Sequence, residues 1–375
     1  MKALFLLFHG FDEANGISKK IHYQVKALKE CGLDVRTCYY EVSSDGNRRW
    51  MADDEILADF GHGISAKIRK RFDFRSITDY VKREKIALVY IRSFHNANPF
   101  TIRMVKQFKR AGAKVVMEIP TYPYDQEYVT RFMKLELAVD RCFRHSLAQK
   151  LDGIITFSDD AEIFGKQTIR ISNGIDFDAV PVKRCVNDTS YDLHLIGVAE
   201  IHYWHGFDRI LSGLAEYYRT RKDYEVCFDI VGEFGGERER QTILSLIKQY
   251  QLEPYVILQG ARHGAALDHL FECADFAIGS LGRHRSGITH IKTLKNREYA
   301  ARGLAFVYSE TDSDFDNRPY VLKVPADESP INIENIIAFH HQQQLSPDEI
   351  RGSIKETLSW RAQMQTVLNK LLIKI

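Results

Sequence analysis

Two doubly wound α/β domains followed by a helical tail are what this 375-residue sequence predicts, and three observations predict it. Short apolar runs alternate with amphipathic stretches from end to end, the pattern of a parallel sheet wrapped by helices. The alternation pauses across Ile171–Ser190 and then resumes for a comparable length. The chain length suits roughly two or three domains at ~100–200 residues each.

In the first half, Lys2–Phe8 reads as a buried strand. Gly16–Cys31 reads as a helix, because Ile17, Ile21, Val25 and Leu28 recur at helical spacing. Gly32 stops it, and Leu33–Tyr39 is the next strand. Strands over Ile86–Ile91, Lys114–Ile119 and Gly153–Phe157 follow, with helices over Phe100–Ala111 and Glu127–Lys150. Asn173-Gly174 is a turn dipeptide inside an aperiodic, polar stretch, which sets the domain boundary at 175/176. The second series has strands over Asp192–Gly197, Glu225–Val231, Val256–Gln259, Phe276–Ser280 and Leu304–Tyr308. Its helices span Gly206–Tyr218, Arg238–Tyr250, Ala265–Glu272 and Thr293–Arg302. Residues 331–375 look helical, with Ser346-Pro347-Asp348-Glu349 as a cap signal. The second domain runs to residue 350, and 351–375 is expected to pack back toward the first.

A formal net charge of only +2 gives no reason to invoke nucleic acid. The cysteines at 31, 38, 142, 185, 227 and 273 form no C-x-x-C pair, so buried, reduced thiols of a cytosolic protein are expected. Met1–Phe8 is too short for a leader and turns at once into His9-Gly10. No segment approaches the ~20 apolar residues of a membrane span. Lys67–Arg71, set among Ile64, Ile68 and Phe72, forms a basic amphipathic stretch able to touch an anionic membrane.

His290–Val307 is the most informative segment. A basic loop enters a short helix, Gly303 ends it, and an apolar strand follows. That places a helix N-terminus at the carboxyl edge of a parallel sheet, with Glu298 one turn inside. Free amides and the helix dipole favour a phosphate there, and a carboxylate accepts hydrogen bonds from ribose hydroxyls. A nucleotide-linked substrate is the expectation.

Several short motifs share an order and spacing across both halves. They are Asn15-Gly16-Ile17-Ser18, Ser172-Asn173-Gly174-Ile175-Asp176, His205-Gly206-Phe207-Asp208, Asp229-Ile230-Val231-Gly232-Glu233, Leu258-Gln259-Gly260, Leu270–Asp275 and Glu298–Leu304. Together they resemble the retaining GT-B glycosyltransferases of the glycogen-synthase-like superfamily, family-four type, over nearly the whole chain. The resemblance implies two facing Rossmann-like domains with the last helix crossing back. It also implies a hexosyltransferase that moves a sugar from a nucleotide-diphosphate sugar to a saccharide or lipid-linked hydroxyl acceptor, in polysaccharide or glycolipid assembly. A cytoplasmic location, at the inner membrane face, goes with that role. No cofactor beyond the co-substrate is expected, and no metal, because an Asp-x-Asp pair is not read at a strand end.

The resemblance and the residues together nominate the site. Gly16, His205, Gly232, Arg262, Lys292, Leu294, Lys295 and Glu298 fall on the donor nucleotide and its phosphates. Glu118, Asp125, His290 and Lys295 are the candidates for chemistry. Asn15, Arg92, His95, Tyr122 and Glu127 fall on the acceptor side, where Arg92 and His95 suit an anionic acceptor. The family's phosphate-binding Arg and Lys fall on Glu200 and His205, and the first glutamate of its Glu-x7-Glu pair falls on His290. Lys292 or Lys295 would supply the missing cation, and His202 and His205 would help if protonated. Two other classes fit the same architecture: a nucleotide-sugar 2-epimerase, and a non-catalytic nucleotide-binding relative. A dinucleotide oxidoreductase does not, since no G-x-G-x-x-G follows an early strand.

Overall fold

The computed structural model describes residues 1–11, 16–93, 97–125, 128, 130–184, 192–220 and 224–373. The chain divides into two compact units. One comprises Met1–Ser172 with Trp360–Ile375, the other Asn173–Ser359.

In the first unit the elements are β1 (Lys2–Leu6), α1 (Gly16–Glu30), β2 (Asp34–Val42), β3 (Arg48–Ala52), β4 (Glu55–Asp59), α2 (Gly63–Phe72) and α3 (Arg75–Arg83). They continue with β5 (Leu88–Arg92), α4 (Pro99–Arg110), β6 (Lys114–Ile119), α5 (Arg131–Ala148), β7 (Gly153–Thr156), β8 (Glu162–Ile163) and β9 (Lys166–Arg170). The described residues form a nine-stranded sheet in the order β4-β3-β2-β1-β5-β6-β7-β9-β8. Its centre is parallel, and the continuous apolar runs of β1, β5 and β6 follow from burial on both faces. The antiparallel pair β3–β4 and the β8–β9 hairpin close its edges. Neither edge pair shows in the sequence reading, because Arg48-Arg49 and Lys166-Gln167 break the apolar pattern.

The second unit contains β10 (Leu193–Val198), α6 (Phe207–Thr220), β11 (Val226–Val231), α7 (Glu237–Gln249), β12 (Val256–Gly260) and α8 (Ala265–Cys273). Then come β13 (Phe276–Ile278), α9 (Leu294–Arg302), β14 (Ala305–Tyr308), β15 (Val321–Lys323), α10 (Ile333–Gln342) and α11 (Pro347–Leu358). Its strands run in the order β12-β11-β10-β13-β14-β15, with every neighbouring pair parallel. Order reverses between β10 and β13, the kind of switch point where open α/β sheets bind ligands. Gly303 ends α9 in the left-handed region at φ +82°, and a Cβ there would stand 2.4 Å from Pro347 at the start of α11.

The chain re-enters the first unit with α12 (Trp360–Lys370), later than the residue 351 read from the sequence. Trp360, Met364, Val367 and Leu368 pack into the same core as Ile21, Val25 and Leu28 of α1. Gln363 anchors the register by accepting a hydrogen bond from the Ser172 amide at 2.7 Å. Cys31, Cys38 and Cys227 are buried thiols, whereas Cys142 is exposed. Cys185 lies outside the described residues. No helix among the described residues is long and apolar enough to cross a membrane.

Candidate functional site

Six of the fifteen buried side-chain atoms without a hydrogen-bond partner, among the described residues, gather at one edge of the second sheet. They belong to Ser280 and Arg283 after β13, to Lys295 and Asn296 in the first turn of α9, and to both carboxylate oxygens of Glu310 after β14. Buried polar groups are normally satisfied, so such a concentration marks a place built for something else to bind. Parallel strands end together here, and α9 presents its free amides at the same edge.

The electrostatics of the group are strained in one direction. Burial pushes the Lys295 ammonium down to about 7, helped by the nearby Arg283 and opposed by Glu310. Burial pushes the Glu310 carboxyl up to about 7, against the pull of Arg283 and Lys295. Arg283 is itself held below its usual range by burial, with its guanidinium 5.6 Å from the Trp204 ring. Burial, then Lys295 and Arg283, hold His205 well below the usual imidazole range. Its Nδ1 accepts from the His202 amide at 3.1 Å, so the neutral ring carries its proton on Nε2. His205 would meet a phosphate as a neutral donor rather than as a cation. Arg283, His284 and Arg285 are consecutive in sequence, but the structure separates them. Arg285 forks onto Asp208 at 2.9 and 2.7 Å and also holds Glu328, which His284 contacts at 2.6 Å. A cavity of about 300 Å³ includes His202, Phe207 and Arg238, but its charged lining is largely this closed network.

What holds the group in place is Arg297, fully buried inside α9. It reaches Asp312 at 2.6 and 3.0 Å, contacts Asp314, and donates to the carbonyls of Asn173 and Thr293 at 3.1 and 2.9 Å. Asn173 in turn donates to the Lys292 carbonyl at 2.6 Å. The Asn-Gly linker thus anchors the loop that delivers Lys295. Asp312-Ser313-Asp314, in the loop that follows β14, is an Asp-x-Asp sequence. Its two carboxylates are committed to Arg297. At the end of β11, Gly232 (φ +135°) lies so close to β10 that a Cβ would stand 1.7 Å from the Ala199 carbonyl.

Other nominated donor residues are placed as follows. Glu298 is half-buried, and its Oε1 takes the Nε and Nη2 of Arg302 at 3.0 and 2.9 Å, leaving Oε2 without a hydrogen-bond partner among the described residues. Leu294 opens α9 and is exposed. His290 is exposed, with its Nδ1 3.0 Å from the Thr289 hydroxyl. Arg262 is exposed after β12, and Gly16 begins α1.

In the first unit Glu118 is not a free catalytic carboxylate. It is fully buried near the end of β6 and accepts from Gln24 at 2.7 Å, Tyr90 at 2.6 Å and Arg92 at 2.9 Å, with Lys20 at 3.7 Å. Burial alone would raise its pKa; Lys20, Arg92 and these hydrogen bonds overcome that and lower it. Asp125 is likewise claimed, by Arg141 at 2.9 and 2.7 Å and Arg144 at 2.8 Å, which hold it below the usual carboxylate range despite burial. Tyr122 packs edge-on against Phe164. Asn15, His95 and Glu127 lie outside the described residues. Sequence reasoning missed a cationic group at the carboxyl edge of this sheet. Lys70 sits 3.6 Å from the Tyr40 ring, and Arg48 donates to Tyr40 at 2.9 Å while its Nε stays buried without a partner. Burial, Arg71 and Arg48 bring Lys70 down to about 8, and burial, Arg92 and Lys70 lower His9.

No protein-family model and no curated protein matches the sequence. Solved structures match it over its full length. Sucrose-phosphate synthase from Thermosynechococcus elongatus aligns with a TM-score of 0.67 at 14% identity, covering 99% of this chain and 98% of that one. Anabaena HepE in complex with UDP aligns at 0.62 and 14% identity, covering 99% and 100%. TarM aligns at 0.62 and 10% identity, covering 99% and 98%. At such identities the likeness concerns architecture: the chain has the two-sheet α/β fold of the GT-B glycosyltransferases.

Proposed function

We propose that the chain is a glycosyltransferase that binds a nucleoside-diphosphate sugar at the carboxyl edge of β13 and β14 and passes the glycosyl unit, with retention, to a hydroxyl acceptor. The observation that carries this reading is the cluster of buried, unsatisfied atoms on Lys295, Arg283 and Glu310 beside the N-terminus of α9, with His205 next to it. A diphosphate supplies the negative charge that this group lacks. Lys295, Arg283 and the α9 amides then stabilise the charge that develops on the departing diphosphate, and the His205 Nε2–H adds a neutral donor. Glu310, neutral when protonated, donates to a phosphate or sugar oxygen and repels neither. The free Oε2 of Glu298 accepts from ribose. The leaving phosphate takes the acceptor proton, so no protein base is required. HepE, solved with UDP and with UDP-glucose, supports a uridine nucleotide as first choice of donor.

On the acceptor side, burial and neighbouring cations disfavour positive charge on His9 and Lys70, at the ends of β1, β2 and β5. An acceptor bearing a phosphate or carboxylate would relieve that penalty. Calorimetric titration with UDP, GDP and their glucose conjugates tests the donor half. Binding of one diphosphate, lost in Lys295→Met while the variant stays folded, supports the site. Equal binding by the variant removes it. Release of free sugar or transfer to an added acceptor separates an enzyme from a nucleotide-binding relative, and an epimerised product without acceptor would indicate the 2-epimerase.

A further inference from the structure

The first unit carries an exposed apolar surface that its own core does not use. On α2, Ile64, Ile68 and Phe72 recur at four-residue intervals and are 76%, 53% and 43% exposed. On α5, Phe132, Leu135 and Val139 share one face and are 60%, 64% and 40% exposed. The two helices are contiguous there: Arg71 of α2 pairs with Glu136 of α5 and lies 5.5 Å from the Phe132 ring. Phe100 at the start of α4 extends the patch, its ring 4.8 Å from that of Phe72. A groove of about 470 Å³ lies between α2 and α4, lined by Ile68, Phe72, Phe100 and Met104 beside Arg69 and Arg103. Cations predominate around the patch. The α2 sequence, GISAKIRKRF, holds four cations and no acid, and Arg75, Arg103, Arg131 and Lys134 are exposed nearby. Asp73 and Glu136, the acids among them, are ion-paired to Arg75 and Arg71.

We propose that this face docks the protein on an anionic lipid surface, with Ile64, Ile68, Phe132 and Leu135 entering the interface and the surrounding Lys and Arg side chains meeting lipid phosphates. Large apolar side chains ringed by cations on exposed helices have the chemistry of an interfacial membrane site. The excess positive charge argues against a second copy as occupant, because two such faces would repel each other. Co-sedimentation of the full chain with phosphatidylcholine vesicles, and with vesicles containing a third phosphatidylglycerol, tests it. The expected result is binding to the anionic vesicles alone, weakened roughly tenfold or more by Lys67→Glu/Arg69→Glu and by Ile64→Asp/Leu135→Asp. All four residues are exposed, and an unchanged unfolding temperature and unchanged UDP binding would show that the variants fold. No binding to anionic vesicles overturns the proposal. So does binding that the variants leave intact, or a dimer in solution that Ile64→Asp dissolves without any vesicle binding. Failure of UDP binding would leave this test unaffected.

Discussion

Glu118 and Glu310 are both buried carboxylates at the carboxyl edge of a parallel sheet, each within reach of two cations, yet they behave oppositely. Glu118 has four partners and a depressed pKa; Glu310 has none on its carboxylate and a pKa raised to about 7. A buried charge that is fully compensated makes a scaffold, whereas one left uncompensated costs stability that only a ligand repays. The comparison teaches that charge at a strand end does not mark a site; unsatisfied charge does.

The largest effect should come from breaking the compensated group. Glu118→Ala strands Lys20 and Arg92 in the interior, and we expect a loss of about 3–5 kcal/mol in denaturant unfolding. Wild-type stability would equate the two glutamates and undo the contrast. Next, Lys295→Met removes a desolvated cation. UDP affinity should fall on the order of 10–100-fold while the ligand-free protein unfolds at the same or a higher temperature.

A smaller, pH-dependent effect sharpens the contrast. Folded Glu310 binds more protons than unfolded between its usual 4.5 and about 7, so stability falls as pH rises through that window. Folded Lys295 binds fewer between about 7 and its usual 10.5, so stability recovers above neutrality. Unfolding temperature without ligand should therefore dip near pH 7, and Glu310→Gln should flatten the acid side of the dip. UDP affinity should decline from pH 6 to pH 8, as Lys295 loses its charge and Glu310 gains one. The mildest change is Glu298→Ala: on the order of tenfold weaker uridine diphosphate binding with inorganic pyrophosphate binding unchanged, read by competition.

The sequence showed the central strands and long helices because apolar runs and helical spacing survive in one dimension. It hid β3, β4 and β9, in the outer strand pairs of the sheet, where Arg48, Arg49 and Lys166 interrupt the apolar pattern, and it hid α3 between two basic stretches. At the site, Lys295 and Glu298 were legible from the helix start that follows a basic loop. Arg283 looked like its neighbour Arg285, and only packing separates the paired guanidinium from the one with an unpartnered Nε. Nothing in the local pattern singled out Glu310, two residues beyond β14. Arg297 and Asp312 carry the scaffold, and a buried ion pair fifteen residues apart leaves no local pattern.

The late return of the chain has a practical outcome for anyone dissecting the molecule. A fragment cut at Ser172 would lose Trp360, Met364, Val367 and Leu368, leaving Ile21, Val25 and Leu28 without the helix that shields them. Such a piece should be sticky and poorly soluble. Grafting Trp360–Ile375 onto it through a short flexible tether should rescue a well-behaved half-molecule, whereas the same graft with Trp360 and Met364 changed to aspartate should not.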